Sequence, residues 1–179
     1  FWQEFQKHPY DGHIPISAVY AFLGILYSVL YRYSYFIVAN EYSSNFGNIK
    51  YKNQTINHQW SKSLEFEQLF QNYLNNFISS DVKYFSLLRP FYEIRVAEMF
   101  SRHKKYFAYF SSCNRNFLIS QESDNRTDGL WCCEYPKCVF VFILLSAFLP
   151  KEELLNIFKK NLYQDKNLLP LFTDILGIG

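Results

Sequence analysis

Cys113, Cys132, Cys133 and Cys138 are the only cysteines in a chain of 179 residues. They gather in a polar loop and at the start of a continuous apolar run, Val139 to Leu149. Core cysteines would be scattered along the chain. Thiols grouped at a loop and a helix start read as a site: a metal clamp, a disulfide pair or a reactive thiol. The plainer alternative is a set of reduced, inert thiols. Paired metal ligands are commonly separated by two to four residues. Cys133 and Cys138 fit that spacing, Cys132 and Cys138 nearly so, and Cys113 supplies a more distant ligand. The candidate ligand set is therefore Cys113, Cys132, Cys133 and Cys138, with Zn²⁺ as the candidate ion. Nothing in the sequence indicates secretion, which argues against a structural disulfide.

Three further groups carry chemistry. Asn40-Glu41 ends an apolar run, where a carboxylate could hold Mg²⁺ or a substrate hydroxyl; a loop that caps the next element is the simpler reading. Asn57-His58-Gln59 with Ser61-Lys62-Ser63 brings an imidazole, an ammonium and hydroxyls to a helix N-terminus. That is a favourable place for an anion, and also a common place for a cap and a solvated surface. Arg89 follows the Ser86-Leu87-Leu88 turn. It could fork a carboxylate or phosphate, or simply pair with Glu93. His13, in Gly12-His13-Ile14-Pro15, reads first as a helix cap and second as a ligand contact.

These groups need elements to hold them. Residues 15–31 read as a helix with Ile16, Val19, Tyr20, Leu23, Leu26, Tyr27 and Leu30 as its apolar positions. Tyr35–Ala39 is a short run of strand formers, and residues 81–88 hold another short strand. Tyr106–Phe110 reads as a third strand, ending on Ser111-Ser112-Cys113. Helices are expected over Leu64–Phe77, from Phe91 to about Arg102, from about Pro136 to Phe148, and after Pro150. Three strand–loop–helix units favour an α/β fold, a Rossmann-like parallel sheet with flanking helices. In such a sheet, ligands bind beyond the carboxyl ends of the strands. The loops at Asn40–Asn48, Ser86–Arg89 and Ser111–Asn116 are expected to share that edge.

Nearly half the residues are hydrophobic and 19 Phe and 15 Tyr are present, so the chain can form a real core as a single α/β domain over residues 1–179. The cysteine-containing loop at 113–138 would form part of it. The net charge is +2, and the densest basic stretch, Arg102-His103-Lys104-Lys105, sits where a helix C-terminus favours cations. Nucleic-acid binding is therefore not expected. Neither the apolar run at 139–149 nor residues 14–31, which carry Pro15, Ser17 and Ser28, reads as a membrane span. The opening Phe1-Trp2-Gln3 without an initiator Met, and the abrupt Leu176-Gly177-Ile178-Gly179 ending, suggest part of a longer protein.

Taken in order, the loops resemble one family. The residues are Gly12-His13-Ile14-Pro15-Ile16-Ser17-Ala18, Ala39-Asn40-Glu41 with Ser43, and Asn57-His58-Gln59 with Ser61-Lys62-Ser63. After these come Ser86-Leu87-Leu88-Arg89-Pro90, Ser112-Cys113-Asn114-Arg115, and Trp131-Cys132 with Pro136-Lys137-Cys138. The set resembles the UDP-N-acetylmuramoyl-L-alanyl-L-glutamate epimerases of bacterial peptidoglycan synthesis, which are similar to ATP pyrophosphatases of the PP-loop type. The resemblance implies a cytoplasmic enzyme that cleaves ATP to AMP and pyrophosphate with Mg²⁺. Its substrate would be the UDP-muramoyl dipeptide, whose terminal L-glutamate it inverts to D-glutamate.

With that substrate, His58, Lys62 and Glu41 are the candidate catalytic residues. Gly12, His13, Asn40, Ser43, Asn57, Gln59, Ser61, Ser63, Ser86, Arg89 and Asn114 are the candidate contacts to substrate or nucleotide. The chain departs from the family pattern in three places, one of them its stop before the C-terminal part expected to follow Leu176-Gly177. It has no glycine-rich pyrophosphate loop, which is expected upstream of Phe1, so the 179 residues alone are not expected to turn over. Tyr135 stands where the family's segment carries its middle cysteine. Two other readings stay open: another PP-loop adenylating enzyme acting on a nucleobase or tRNA, and a non-catalytic, zinc-stabilised α/β module.

Overall fold

A computed structural model describes residues 14–47, 49–117 and 129–178. Gly12 and His13 lie outside the described residues. Where the sequence suggested one domain, the chain divides into two compact units, residues 1–92 and 93–179.

The first unit is α/β, with a small parallel sheet. Helix α1 (Ile16–Tyr31) leads through a left-handed Arg32, at φ 59°, into strand β1 (Tyr35–Val38). Strands β2 (Ile49–Tyr51) and β3 (Gln54–Ile56) form a separate antiparallel hairpin. Its two-residue turn places Lys52 and Asn53 at φ 46° and 62°, the positive angles that a tight hairpin turn requires. Helix α2 (Leu64–Phe77) and strand β4 (Lys83–Ser86) follow. β4 pairs parallel with β1, Tyr35 opposite Lys83 and Val38 opposite Ser86.

The core of this unit lies between α1, α2 and the sheet. It holds Ala21, Ile25, Phe66, Phe70, Leu74, Val82 and Tyr84. The face of α1 that is buried differs from the sequence expectation. Val19, Leu23, Leu26 and Leu30 are exposed, while Ala21, Ile25 and Ser28 are buried. The reason is close packing at Gly24, where an added Cβ would stand 2.2 Å from Phe36 Cζ of β1. Only the small-residue face of α1 can come that near a strand.

The second unit is helical. It contains α3 (Glu93–Ser101), α4 (Pro136–Ser146), α5 (Lys151–Phe158) and α6 (Leu169–Leu176). Pro136 and Pro150 open their helices as expected. Helix α6 adds a helix that the sequence analysis did not identify. It starts with a proline in its first turn and stops at Gly177, at φ 67°.

The expected third strand at Tyr106–Phe110 does not form. A 3₁₀ turn spans Lys104–Tyr106, and Phe107 and Phe110 both pack on Phe100, at ring distances of 5.4 and 4.6 Å. A spacing of three puts two rings on one side of a tight turn, whereas strand alternation would send them to opposite faces. The parallel sheet therefore has two strands among the described residues, β1 and β4. No described helix is long and apolar enough to cross a membrane.

Candidate functional site

The two parallel strands end side by side, and Ser86 closes their edge. Its buried hydroxyl donates to the carbonyls of Asn40 at 2.6 Å and Val38 at 3.2 Å. The β1 exit becomes a 3₁₀ turn, Tyr42–Asn45, with Glu41 just ahead of it. Ser44 Oγ donates to Glu41 Oε1 at 3.0 Å, which fixes one carboxylate oxygen. Asn57 Nδ2 donates to Ser44 O at 2.8 Å and so ties the second polar loop to the first. Asn57 Oδ1 accepts from Gln59 N at 2.9 Å, and Gln59 Nε2 lies 3.3 Å from His58 Nε2. Ser63 caps α2 by accepting from Phe66 N at 3.1 Å.

Arg89 connects all of this. Its Nη1 donates to the Glu41 carbonyl at 3.1 Å and meets Asn45 Oδ1 at 3.5 Å. Its Nη2 donates to the Lys62 carbonyl at 2.8 Å and to Glu67 Oε2 at 2.9 Å. The pair is shielded, with side chains 11% and 13% exposed. The carboxylate that holds Arg89 is thus Glu67. An arginine so committed orients the Glu41 and Lys62 segments from beneath. Its buried Nε finds no hydrogen-bond partner among the described residues.

Nearby, burial pushes the Tyr84 hydroxyl up to about 12, with the Glu67 charge adding to the rise and Arg89 opposing it. Asn45 and Glu67 were not singled out from sequence. Asn45 Oδ1 also accepts from Leu64 N at 2.7 Å, the first residue of α2. The available signal for Glu67 was its place in the first turn of α2 behind the Ser63 cap.

The structure therefore brings together Asn40, Glu41, Ser43, Asn57, His58, Gln59, Ser61, Lys62, Ser63, Ser86 and Arg89 within one unit. The third expected loop, Ser111–Asn116, follows no strand and belongs to the second unit. Glu41, His58 and Lys62 are half-buried in neighbouring loops, a setting from which a proton can be exchanged with a ligand.

In the second unit, Cys113, Cys132 and Cys138 converge, with all three sulfurs within 4.8 Å of one another. Cys132 and Cys138 are 3.7 Å apart. Cys133 departs from the four-ligand expectation. Its φ is 61°, and its thiol turns to the Phe158 carbonyl at 3.2 Å. Burial pushes the Cys133 thiol up to about 11 and the Cys138 thiol to about 12.

Around the cluster, Arg115 Nη1 pairs with Glu134 Oε2 at 2.7 Å. That bond and the neighbouring thiol groups raise the arginine further. Asn114 sits outside the sulfurs, donating to the Tyr135 hydroxyl at 3.2 Å and accepting from Lys137 Nζ at 3.2 Å. A cavity of about 820 Å³ lies elsewhere in this unit, lined in part by Lys104, Trp131, Glu153, Asn156 and Lys159.

Comparison with known proteins adds to this geometry. Residues 4–87 match the model of the MurL N-terminal domain, and residues 109–179 that of the MurL C-terminal domain. Three relatives are named UDP-N-acetyl-alpha-D-muramoyl-L-alanyl-L-glutamate epimerase. The protein of Xanthomonas oryzae pv. oryzae (strain MAFF 311018) is 42% identical over 156 residues, covering 87% of this chain and 34% of the relative. Those of Salinispora tropica and a Micromonospora species are 35% and 33% identical over 168 residues, covering 94% of this chain and 36% of each relative. The chain thus spans about a third of the length of the curated relatives it matches. No solved structure matches it.

Proposed function

This chain belongs to the MurL family, and on that premise we propose that the protein inverts the terminal L-glutamate of UDP-N-acetylmuramoyl-L-alanyl-L-glutamate to D-glutamate. The observation that carries the reading is the convergence of the Glu41, His58 and Lys62 loops on Arg89 at the carboxyl ends of β1 and β4. That edge is where α/β sheets bind ligands. We take the fold to be a partial sheet of the Rossmann-like, PP-loop type, working in the cytoplasm.

The chemical problem is the acidity of the glutamate Cα–H. A carboxylate beside it makes the carbanion a dianion. ATP is the second substrate of this proposal. The carboxylate oxygen attacks the α-phosphorus and pyrophosphate leaves, giving an acyl-adenylate in which the group beside Cα no longer carries the carboxylate charge. A base then takes the Cα proton and an acid returns one to the opposite face. Water finally cleaves the acyl-adenylate, releasing AMP and the inverted carboxylate.

His58 and Lys62 are the proposed proton-transfer groups, with Glu41 as a third. The residues present fit the phosphate end of ATP only in part. Glu41 offers a carboxylate that would help hold Mg²⁺. The six glycines, at positions 12, 24, 47, 129, 177 and 179, do not make a phosphate cradle, and Arg89 is occupied by Glu67. Asn40, Ser43, Asn57, Gln59, Ser61, Ser63 and Ser86 line or brace the same edge and are proposed to position the dipeptide.

The test uses the full-length protein and two readouts, AMP release and deuterium uptake at the glutamate Cα. The muramoyl dipeptide ending in L-glutamate is expected to drive both. His58→Ala and Lys62→Ala should each slow deuterium uptake by about 10²–10⁴-fold while AMP release persists. AMP release driven by tRNA and not by the dipeptide would move the assignment to another adenylating enzyme. Normal deuterium uptake in both variants would remove these residues from proton transfer.

A further inference from the structure

We propose that Cys113, Cys132 and Cys138 hold one Zn²⁺ through three thiolates and that Cys133 is not a ligand. The inference does not rest on the epimerase reading. Its basis is the geometry of the sulfurs. A tetrahedral zinc with Zn–S bonds of about 2.3 Å needs its sulfurs about 3.8 Å apart. Cys132 and Cys138 already stand at 3.7 Å, and every pair in the trio lies within 4.8 Å. Contraction by an ångström or less closes the site.

The three ligands come from separate pieces of chain. Cys113 lies ahead of the 3₁₀ turn Asn114–Phe117, Cys132 lies in the loop before α4, and Cys138 lies in the first turn of α4. All three are buried, with Cys113 and Cys138 at 0% exposure. Thiols that only packed a core would need no such convergence.

Burial raises the Cys138 thiol, and the backbone N–H of Cys133, which donates to its sulfur, opposes that rise. The left-handed φ of 61° at Cys133 accompanies that bond, while its own thiol is committed to the Phe158 carbonyl. A strained, non-glycine conformation is retained only where the surroundings enforce it. Three thiolates on Zn²⁺ leave one net negative charge. The α4 N-terminus lies beside it, and the Arg115 guanidinium is close enough to Cys132 and Cys113 to feel their charge.

Among the described residues no other His, Cys, Asp or Glu joins the group. Because Cys113 and Cys132 come from loops and Cys138 from a helix, the ion would cross-link the core of this unit. We assign it that role, a clamp.

The experiment measures metal in full-length protein purified under reducing conditions without added metal, by elemental mass spectrometry. About one zinc per chain is expected, as for a single closed site. Cys133→Ser should keep the metal, since serine can still donate to Phe158 O. Cys138→Ser should lose nearly all of it. Replacement by Co²⁺ should give a tetrahedral visible spectrum, with sulfur-to-metal charge transfer for three thiolates. If Cys138→Ser fails to fold, the wild-type cobalt spectrum and the Cys133→Ser metal content still decide. A folded, metal-free protein that refuses Co²⁺, a Cys132–Cys138 disulfide in the purified chain, or loss of zinc in Cys133→Ser would each overturn the proposal.

Discussion

Residues 1–92 and residues 93–179 handle buried polar chemistry differently. In the first unit one charged side chain, Arg89, reaches three segments and is matched by Glu67 and by carbonyl oxygens. In the second, three thiols meet one another inside a core of Trp131, Val139, Phe142, Leu145 and Phe158. A guanidinium whose two Nη groups have their acceptors in place can brace loops without a ligand. It holds the loops that could work on a substrate, and those loops keep His58, Lys62 and Glu41 half open. Three thiols gathered within 4.8 Å of one another make sense as a cluster when an ion joins them.

The cores differ in the same sense. Helix α4 buries Cys138, Val139, Phe142 and Leu145. Helix α1 leaves Leu23, Leu26 and Leu30 exposed at 47%, 52% and 66%. The first unit thus depends on its polar network to a degree that the second, with its larger apolar core, does not.

The strongest way to break this comparison is Arg89→Ala. It strands the Glu67 carboxylate and leaves the Glu41 and Lys62 carbonyls without their donor. Removing one partner of a buried pair costs about 3–5 kcal/mol. Hydrogen exchange should show α2 and β4 losing most of their protection while α4 and α5 keep theirs. Equal loss in α4 would mean that the two units do not differ in this way. An unchanged α2 would mean that Arg89 is not the connector the hydrogen bonds indicate.

A second effect is alkaline. Tyr84 has its hydroxyl raised from 10.0 to about 12 by burial first and Glu67 second. The folded state therefore keeps the proton longer than the unfolded chain. The associated stability is present below pH 10 and is lost as the pH rises from 10 through 12. α2 exchange should rise across that window, and Tyr84→Phe should flatten the rise. A Tyr84→Phe variant with the same alkaline profile would place the sensitive group elsewhere.

Much of this organisation was legible in the sequence, for a physical reason in each case. Leu64–Phe77 forms the expected helix residue for residue, because its apolar period and its Ser63 cap agree. The strands β1 and β4, the helix starts at Pro136 and Pro150, and the gathering of thiols were legible too. What escaped depends on packing between segments. The period in α1 pointed to Leu23 and Leu26, but Gly24 against Phe36 selected the opposite face. Phe107 and Phe110 look like strand formers until Phe100 collects both. The hairpin β2–β3 has every residue exposed, so no alternation marked it; Lys52-Asn53 in its turn was the available cue. Adjacent cysteines gave no hint that Cys133 would turn to Phe158, because that choice is made by α5, which lies later in the chain.

The smallest effect concerns Ser63, which joins the candidate site to the fold. Its hydroxyl accepts from Phe66 N at 3.1 Å, and its carbonyl accepts from Glu67 N at 3.1 Å. Ser63→Ala removes the first bond and leaves the second. Losing an N-cap of this type costs about 1 kcal/mol. Acidic residues in the first turn, Glu65 and Glu67, favour the same helix start and remain in the variant. Ser63→Asp should therefore restore the cap, and Ser63→Ala should shift global stability only modestly. If Ser63 is only a cap, Ser63→Asp will recover both stability and AMP release in the full-length protein. If its hydroxyl also touches substrate, Ser63→Asp will recover stability while AMP release stays low. The two readouts separate the structural role, which the hydrogen bonds establish, from the substrate contact proposed for the same residue.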